Sequence, residues 1–176
     1  LSSQKLLLFV SSGRVYTVNP NILPSGNFHA KNFTFFVESS TNEKLICIIP
    51  YTDKLRCIIA SKYGKGFIAN LSNIITTQKK GKQLFNLKKG DEVIAITNSV
   101  KEYIACVSTN KKMLVFKSNE LPLLSRGGGV AMQKVKNNNF LSDILTFKIN
   151  EGITWNIGLQ QRNEKEISFW RGKRAQ

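Results

Sequence analysis

Apolar positions along this chain come in short blocks, and helical spacing is scarce. Lys5 to Val10, Val15 to Val18, Leu45 to Ile49, Leu55 to Ala60, Phe67 to Leu71, Val93 to Ile96, Tyr103 to Val107, Met113 to Phe116 and Ile144 to Ile149 are rich in Ile, Val, Leu, Phe and Tyr and end at Gly, Asn, Ser or Lys. Blocks of this length between turn formers predict strands joined by hairpins. After Asn21 and Asn119 the stretches NILP and NELP each predict a single helical turn, stopped by Pro24 or Pro122.

The blocks also repeat. Leu6 to Val18 (LLLFVSSGRVYTV), Leu55 to Ala69 (LRCIIASKYGKGFIA) and Tyr103 to Phe116 (YIACVSTNKKMLVF) all read as strand, polar turn, strand. Ser11, Ser61 and Ser108 mark the same point in each, at offsets of 50 and 47 residues. A period near 50 predicts an all-β, propeller-like array of blades. Each hairpin is followed by a glycine-containing and mostly basic segment: Lys79-Lys80-Gly81-Lys82, Arg126-Gly127-Gly128-Gly129 and Arg171-Gly172-Lys173-Arg174, with a weakly basic first copy at Ser25 to His29. Lys80 to Arg126 is 46 residues and Arg126 to Arg171 is 45, which predicts equivalent places on successive blades, along one rim.

Charge sharpens this picture. Lys and Arg number 26 against 11 Asp and Glu, a formal net charge of +15. Such a surplus repels itself and points to a polyanionic partner, nucleic acid before an anionic membrane. Residues 54 to 90 hold nine basic residues and no carboxylate. The longest uninterrupted apolar runs, Leu6 to Val10 and Leu45 to Ile49, are five residues, against the ~18 needed to cross a bilayer as a helix. Nothing reads as a secretory signal, and the chain, opening at Leu1, reads as a piece of something longer. Cys47, Cys57 and Cys106 lie in apolar blocks and are expected to be buried free thiols of a reducing compartment.

Catalytic material is sparse. The one histidine, His29, reads as a polar loop residue, and neither a zinc site nor a Ser-His-Asp triad can be assembled around it. There is no Walker lysine motif, and Tyr63-Gly64-Lys65-Gly66 is too short for a dinucleotide loop. Asp91-Glu92 reads as turn chemistry, not an acid/base pair. No catalytic or metal-binding residue is expected, and no cofactor.

The basic turns fit a duplex instead. Each cation that neutralises a phosphate releases a condensed counterion, and a glycine beside it lets backbone N–H groups come close to the phosphate. Lys79, Lys80, Lys82, Arg126, Arg171, Lys173 and Arg174 are the expected phosphate contacts, with Lys62, Lys65, Lys111 and Lys112 as a second rank in hairpin turns. Tyr63 and Trp170 are candidates to pack beside DNA sugars, whereas Phe9, Phe67, Phe116, Phe147 and Trp155 are expected in the core. A protein-interaction propeller with solubilising charge and a peripheral membrane binder are the competing classes.

Lys79 to Gln83 with Leu84-Phe85-Asn86-Leu87, then NKKMLVF (Asn110 to Phe116), ELP (Glu120 to Pro122), SRGGGVAMQKVK (Ser125 to Lys136), LSDILTF (Leu141 to Phe147), EGITW (Glu151 to Trp155) and WRGKRAQ (Trp170 to Gln176) resemble, over essentially the whole chain, the C-terminal domains of the A subunits of bacterial type IIA topoisomerases. Topoisomerase IV of the α-proteobacterial kind is nearest, gyrase next. The resemblance implies a β-pinwheel of blades of about 45–50 residues, spanning residues 1–176 as a single domain that is a C-terminal fragment of a longer subunit. It implies capture and bending of double-stranded DNA for ATP-dependent strand passage, in decatenation and relaxation. The partners implied are the same polypeptide's N-terminal catalytic part and the ATPase B subunit in an A2B2 assembly, with Mg2+ and ATP bound elsewhere and no small-molecule substrate here. The place implied is the cytoplasm, on the nucleoid, with a peripheral tie to the inner membrane as a further possibility. Tyr16, Tyr51, Tyr63 and Tyr103 inherit no catalytic role. Gyrase carries a box of the form Q-R-R-G-G-K-G tied to wrapping; Gln78-Lys79-Lys80-Gly81-Lys82-Gln83 lacks its arginines and doubled glycine, and Ser125 to Gly129 has the glycines but one cation. This favours a binder that bends DNA over a full wrapper, with a gyrase-type wrapping domain as the alternative.

Overall fold

The repeated strand–turn–strand units fold as antiparallel hairpins. In the computed structural model, which describes residues 4–22, 34, 37–39, 42–136 and 138–175, the strands are β1 (Leu6–Val10), β2 (Arg14–Val18), β3 (Leu45–Pro50), β4 (Arg56–Ser61), β5 (Lys65–Asn70), β6 (Lys82–Gln83), β7 (Val93–Thr97), β8 (Tyr103–Ser108), β9 (Met113–Lys117), β10 (Val130–Ala131), β11 (Leu141–Phe147), β12 (Ile153–Ile157) and β13 (Gln160–Glu164). His29, Pro24 and the first glycine segment, Ser25 to His29, lie outside the described residues.

Each of the first three hairpins gathers two more partners by one rule. The first strand of the hairpin pairs with the strand that follows the hairpin; the second pairs with a strand delivered from beyond the next hairpin. The first sheet is therefore ordered β3-β1-β2-β6, the second β10-β5-β4-β7, and the third begins β11-β8-β9. In the third sheet a bridge from Val115 to Arg171 takes the place of the exchanged strand. The fourth hairpin is β12-β13. This exchange of strands between neighbouring sheets is the architecture expected of a pinwheel.

Side chains alternate across each strand, and here both faces are used. From β4, Cys57 and Ile59 join Leu7, Phe9 and Phe85 in one buried cluster, while Ile58 and Ala60 join Ile104, Cys106 and Phe116 in the next. From β8, Tyr103 and Ala105 pack with Phe147, Ile153 and Ile167. Strands sandwiched on both sides carry unbroken apolar runs, which explains why the sequence shows blocks in place of an alternating pattern. The last hairpin has one covered face: Ile153 is buried and Trp155 half-buried, whereas Thr154 and Asn156 are exposed. Its hydrophobic signal is too thin to stand out, and the pattern missed it.

Several expectations are met at the level of residues. Phe9, Phe67, Phe116 and Phe147 are buried, and the register serines Ser11, Ser61 and Ser108 are all buried at the start of a hairpin turn. A 3-10 turn follows each hairpin, at Pro20–Ile22, Leu71–Asn73, Ser118–Glu120 and Ser168–Trp170. Cys57 and Cys106 are buried free thiols, but Cys47 is only partly covered. The block Ile144 to Ile149 slides relative to the strand, which runs Leu141–Phe147; Lys148 to Glu151 instead close a turn through a Glu151 N–H bond to the Lys148 carbonyl at 3.0 Å.

Candidate nucleic-acid interface

Strand exchange decides where the glycine segments lie. Gly81 runs just ahead of β6 with φ +67°, and a Cβ there would lie 2.6 Å from the Val15 carbonyl oxygen and 2.7 Å from the Tyr16 ring. Only glycine lets the backbone settle this closely on β2. Gly129, at φ +63°, repeats the arrangement on Gly66, ahead of β10.

The hydrogen bonds give the register. The Leu84 and Phe85 N–H groups both donate to the Gly13 carbonyl, and those of Met132 and Gln133 both donate to the Gly64 carbonyl. Leu124 donates to Ile68 at 2.8 Å and Gly172 to Val115 at 2.9 Å. Gly127 donates to Leu84 at 3.1 Å and Ala175 to Met132 at 2.8 Å. Along the exchanged segments every equivalence is 48 residues, whereas the hairpin acceptors they meet are 51 (Gly13 and Gly64) and 47 (Ile68 and Val115) residues apart. The spacings of 46 and 45 expected from the cations are thus corrected: Gln78, Arg126 and Arg174 are equivalent, and Lys79 and Lys80 match Gly127 and Gly128. Cations recur in the same segment of each module but not at the same position.

The last pair of hydrogen bonds also shows that the segments touch. Residues 84–86 run beside Gly127, with Asn86 donating to its carbonyl at 2.8 Å, and residues 131–132 run beside Arg174 and Ala175. The three basic segments form a continuous row across the sheets.

Within that row the side chains differ. Lys79 and Lys80 are exposed and make no ion pair among the described residues; the Lys80 carbonyl is held by Arg14 Nη1 at 2.8 Å. Arg126 is exposed, with Nε 3.4 Å from Asn86 Oδ1. Lys173 is exposed, and Lys82 is half-buried with its ammonium donating to the Asn73 carbonyl. Arg171 lies over the Tyr103 ring and donates to the Tyr103 hydroxyl at 3.2 Å. Arg174 is the most structural: Nη1 donates to the Ala131 carbonyl at 2.6 Å and its N–H to Glu120 Oε2 at 2.9 Å.

The second rank divides too. Lys62 sits 3.6 Å from Glu92 Oε1 and 4.4 Å over the Phe140 ring, so its charge is answered within the chain. Lys65 is half-buried at the start of β5, while Lys111 and Lys112 are exposed in the third turn. Tyr63 is exposed and stacked on Phe140, whereas Trp170 is half-buried against the third cluster. Lys88, Lys134 and Lys136 lie outside the turns that the sequence pattern marks. All three are exposed, and Lys88 and Lys136 are equivalent by the 48-residue register, the signal that finds them.

Several carboxylates are engaged internally. Asp91 accepts from Ser61 Oγ at 2.8 Å and from the Tyr63 N–H at 3.0 Å, pinning the second hairpin turn from a distance in sequence, a role beyond the local Gly-Asp turn that the sequence suggested. Glu43 accepts from Ser12 and from the Tyr16 hydroxyl; burial, then the Glu43 hydrogen bond, push the Tyr16 phenol far above its usual range. These acids clamp turns, and among the described residues none is in ion-pair contact with Lys79 or Lys80, although Glu38 and Glu43 line one hollow with Lys80. Such a surface can hold a polyanion through many point contacts. Among the described residues no cluster of three or more His, Cys, Asp or Glu is placed to hold a metal, and no helix is long and apolar enough to cross a membrane.

Known proteins share this fold. A family profile described as DNA gyrase C-terminal domain, beta-propeller, matches residues 56–98 and 102–148. The A subunit of DNA topoisomerase 4 from Rickettsia bellii is 32% identical over 174 residues, covering 99% of this chain and 23% of the relative. The Caulobacter vibrioides protein of the same name is 32% identical over 176 residues, again 99% and 23%. The chain thus spans about a quarter of the length of these curated relatives. Among solved structures, the E. coli ParC C-terminal domain superposes with a TM-score of 0.80 at 20% identity, over 99% of this chain and 75% of that one. The chain belongs to the family of DNA gyrase C-terminal domains of β-propeller form.

Proposed function

We propose that this chain is the duplex-DNA-binding domain of a topoisomerase IV A subunit, which captures and bends a DNA segment and presents it to a catalytic core. The observation that carries the reading is the row of exchanged segments whose exposed Lys79, Lys80 and Arg126 have no carboxylate partner among the described residues. Contacts of this kind are to phosphate, sequence-independent and salt-sensitive. Lys173, Lys111 and Lys112 extend the same surface, and Lys88 and Lys136 add to it. Lys82, Arg171 and Arg174 contribute their remaining N–H donors while bracing the backbone.

In this reading the domain serves strand passage in decatenation and relaxation, and carries no reacting group. Bond cleavage, Mg2+ and ATP belong to the N-terminal part of the same polypeptide and to an ATPase partner in an A2B2 complex, working on the nucleoid in the cytoplasm. The test is a salt titration of the isolated chain on random-sequence duplex and on anionic vesicles. Tight, sequence-indifferent, salt-steep binding to duplex is expected. Preference for vesicles, or no binding to duplex at about 50 mM salt, would overturn the proposal.

A further inference from the structure

Just past β10 the chain runs by the turn of the third hairpin, and the two walls enclose a groove of about 560 Å3. Asn110, Lys112 and Met113 line one side, Gln133, Lys134 and Lys136 the other, and no carboxylate lines it among the described residues. Gln133 is 5% exposed; its Nε2 donates to the Lys112 carbonyl at 3.3 Å, but the buried Oε1 has no donor among the described residues. The fold does not demand this. By the 48-residue register the equivalent residue of the preceding module is Phe85, fully buried and edge-on to Phe67 at 5.1 Å. One module closes the place with an aromatic ring, and the next lines an open groove with an amide.

A buried acceptor without a donor is the exception in native proteins and is relieved by a ligand that brings an N–H or O–H. Three ammonium groups with no acid beside them ask for an anion. A groove of this size with a few convergent polar groups and a pliable methionine suits a flat heteroaromatic ring. We infer that the groove is a nucleotide pocket, taking one unpaired nucleotide with its phosphate on Lys112, Lys134 and Lys136 and, once the buried Gln133 amide turns towards the groove, a base N–H on its Oε1. The nucleotide is either free or displaced from a strand. The pocket shares Lys112 and Lys136 with the proposed duplex surface and is told apart from it at Gln133, because a base stacked inside a duplex, its Watson–Crick edge already engaged, cannot enter a groove between two walls of the protein.

The test is an NMR titration of the chain with dAMP, inorganic phosphate and deoxyadenosine in turn, and with a duplex carrying one bulged adenine beside its fully paired counterpart. We expect dAMP to bind at least tenfold more tightly than either fragment and to shift the Gln133 side-chain amide. Gln133→Phe, and Gln133→Met as the milder variant should the first not fold, should each weaken dAMP at least tenfold while paired-duplex affinity stays within twofold. A preference for the bulged duplex that Gln133→Met abolishes assigns the nucleotide to nucleic acid; dAMP binding without that preference assigns it to the free pool. Equal binding of dAMP and phosphate, or full dAMP affinity in folded Gln133→Met, would reduce the groove to a lysine patch and overturn the inference.

Discussion

Single residues of this protein answer for the close approach of its segments. The hairpin turns have glycine at φ +80° (Gly13) and +76° (Gly64), but the third turn forces Lys111 to φ +63°. A side chain in that region costs about 1–2 kcal/mol, so Lys111→Gly should raise stability by about 0.5–1 kcal/mol in urea unfolding once the greater freedom of unfolded glycine is counted. Gly81→Ala should do the reverse, costing about 2–3 kcal/mol because it adds a clash with Val15 and Tyr16 to an unfavourable φ. Gly158→Ala, at φ +58° with open space around it, should cost only about 1 kcal/mol. The thiols supply a pH prediction. Burial pushes Cys57 and Cys106 up to about 12 from an ordinary 9.0. Above pH 9 the unfolded chain sheds these protons while the native one keeps them, so their contribution is complete below pH 9 and falls away as pH rises towards 12. The urea midpoint of the wild type should therefore drop more steeply from about pH 9 to about pH 11 than that of the Cys57→Ala/Cys106→Ala variant.

At the scale of elements the defining feature is a strand lent to the previous sheet. β6 and β10 are two residues each, and the third loan is a bridge at Arg171 closed by the Gly172 N–H on Val115. Elements of this size carry no periodicity, so the strand blocks and the repeat were legible in the hydrophobic pattern while the exchange followed only from the resemblance to a pinwheel. The serines were better register marks than the cations, since Ser11, Ser61 and Ser108 are fixed by burial at the turn, whereas a surface lysine can move along its segment without disturbing packing. That freedom is why Arg126 aligns with Gln78 and Arg174 and not with Lys80. It also explains Arg174 and Lys62, whose internal partners depend on folded neighbours such as Ala131 and Glu92 that lie far off in sequence. Removing residues 168–175 should strip the loan from β9 and the contacts that Arg174 and Ala175 make with Ala131 and Met132. Hydrogen exchange should speed up at Met113–Lys117 and stay slow in β1 and β4; uniform loss of protection would mean that the sheets do not keep their stability separately.

For the whole molecule the governing fact is a formal charge of +15 on a stack of sheets whose acids clamp its own turns. Self-repulsion of that size weakens the compact state and is relieved by a polyanion, so duplex DNA should raise the unfolding temperature at about 50 mM salt and lose that effect as salt increases. The central claim, that the row of exchanged segments is the DNA-binding surface, is tested most directly by measuring log K against log salt on a random duplex for the wild type and for Lys79→Ala/Lys80→Ala/Arg126→Ala. The account predicts a line made shallower by about 2.7, roughly 0.9 for each phosphate contact removed. An unchanged slope and affinity in the folded variant would contradict it.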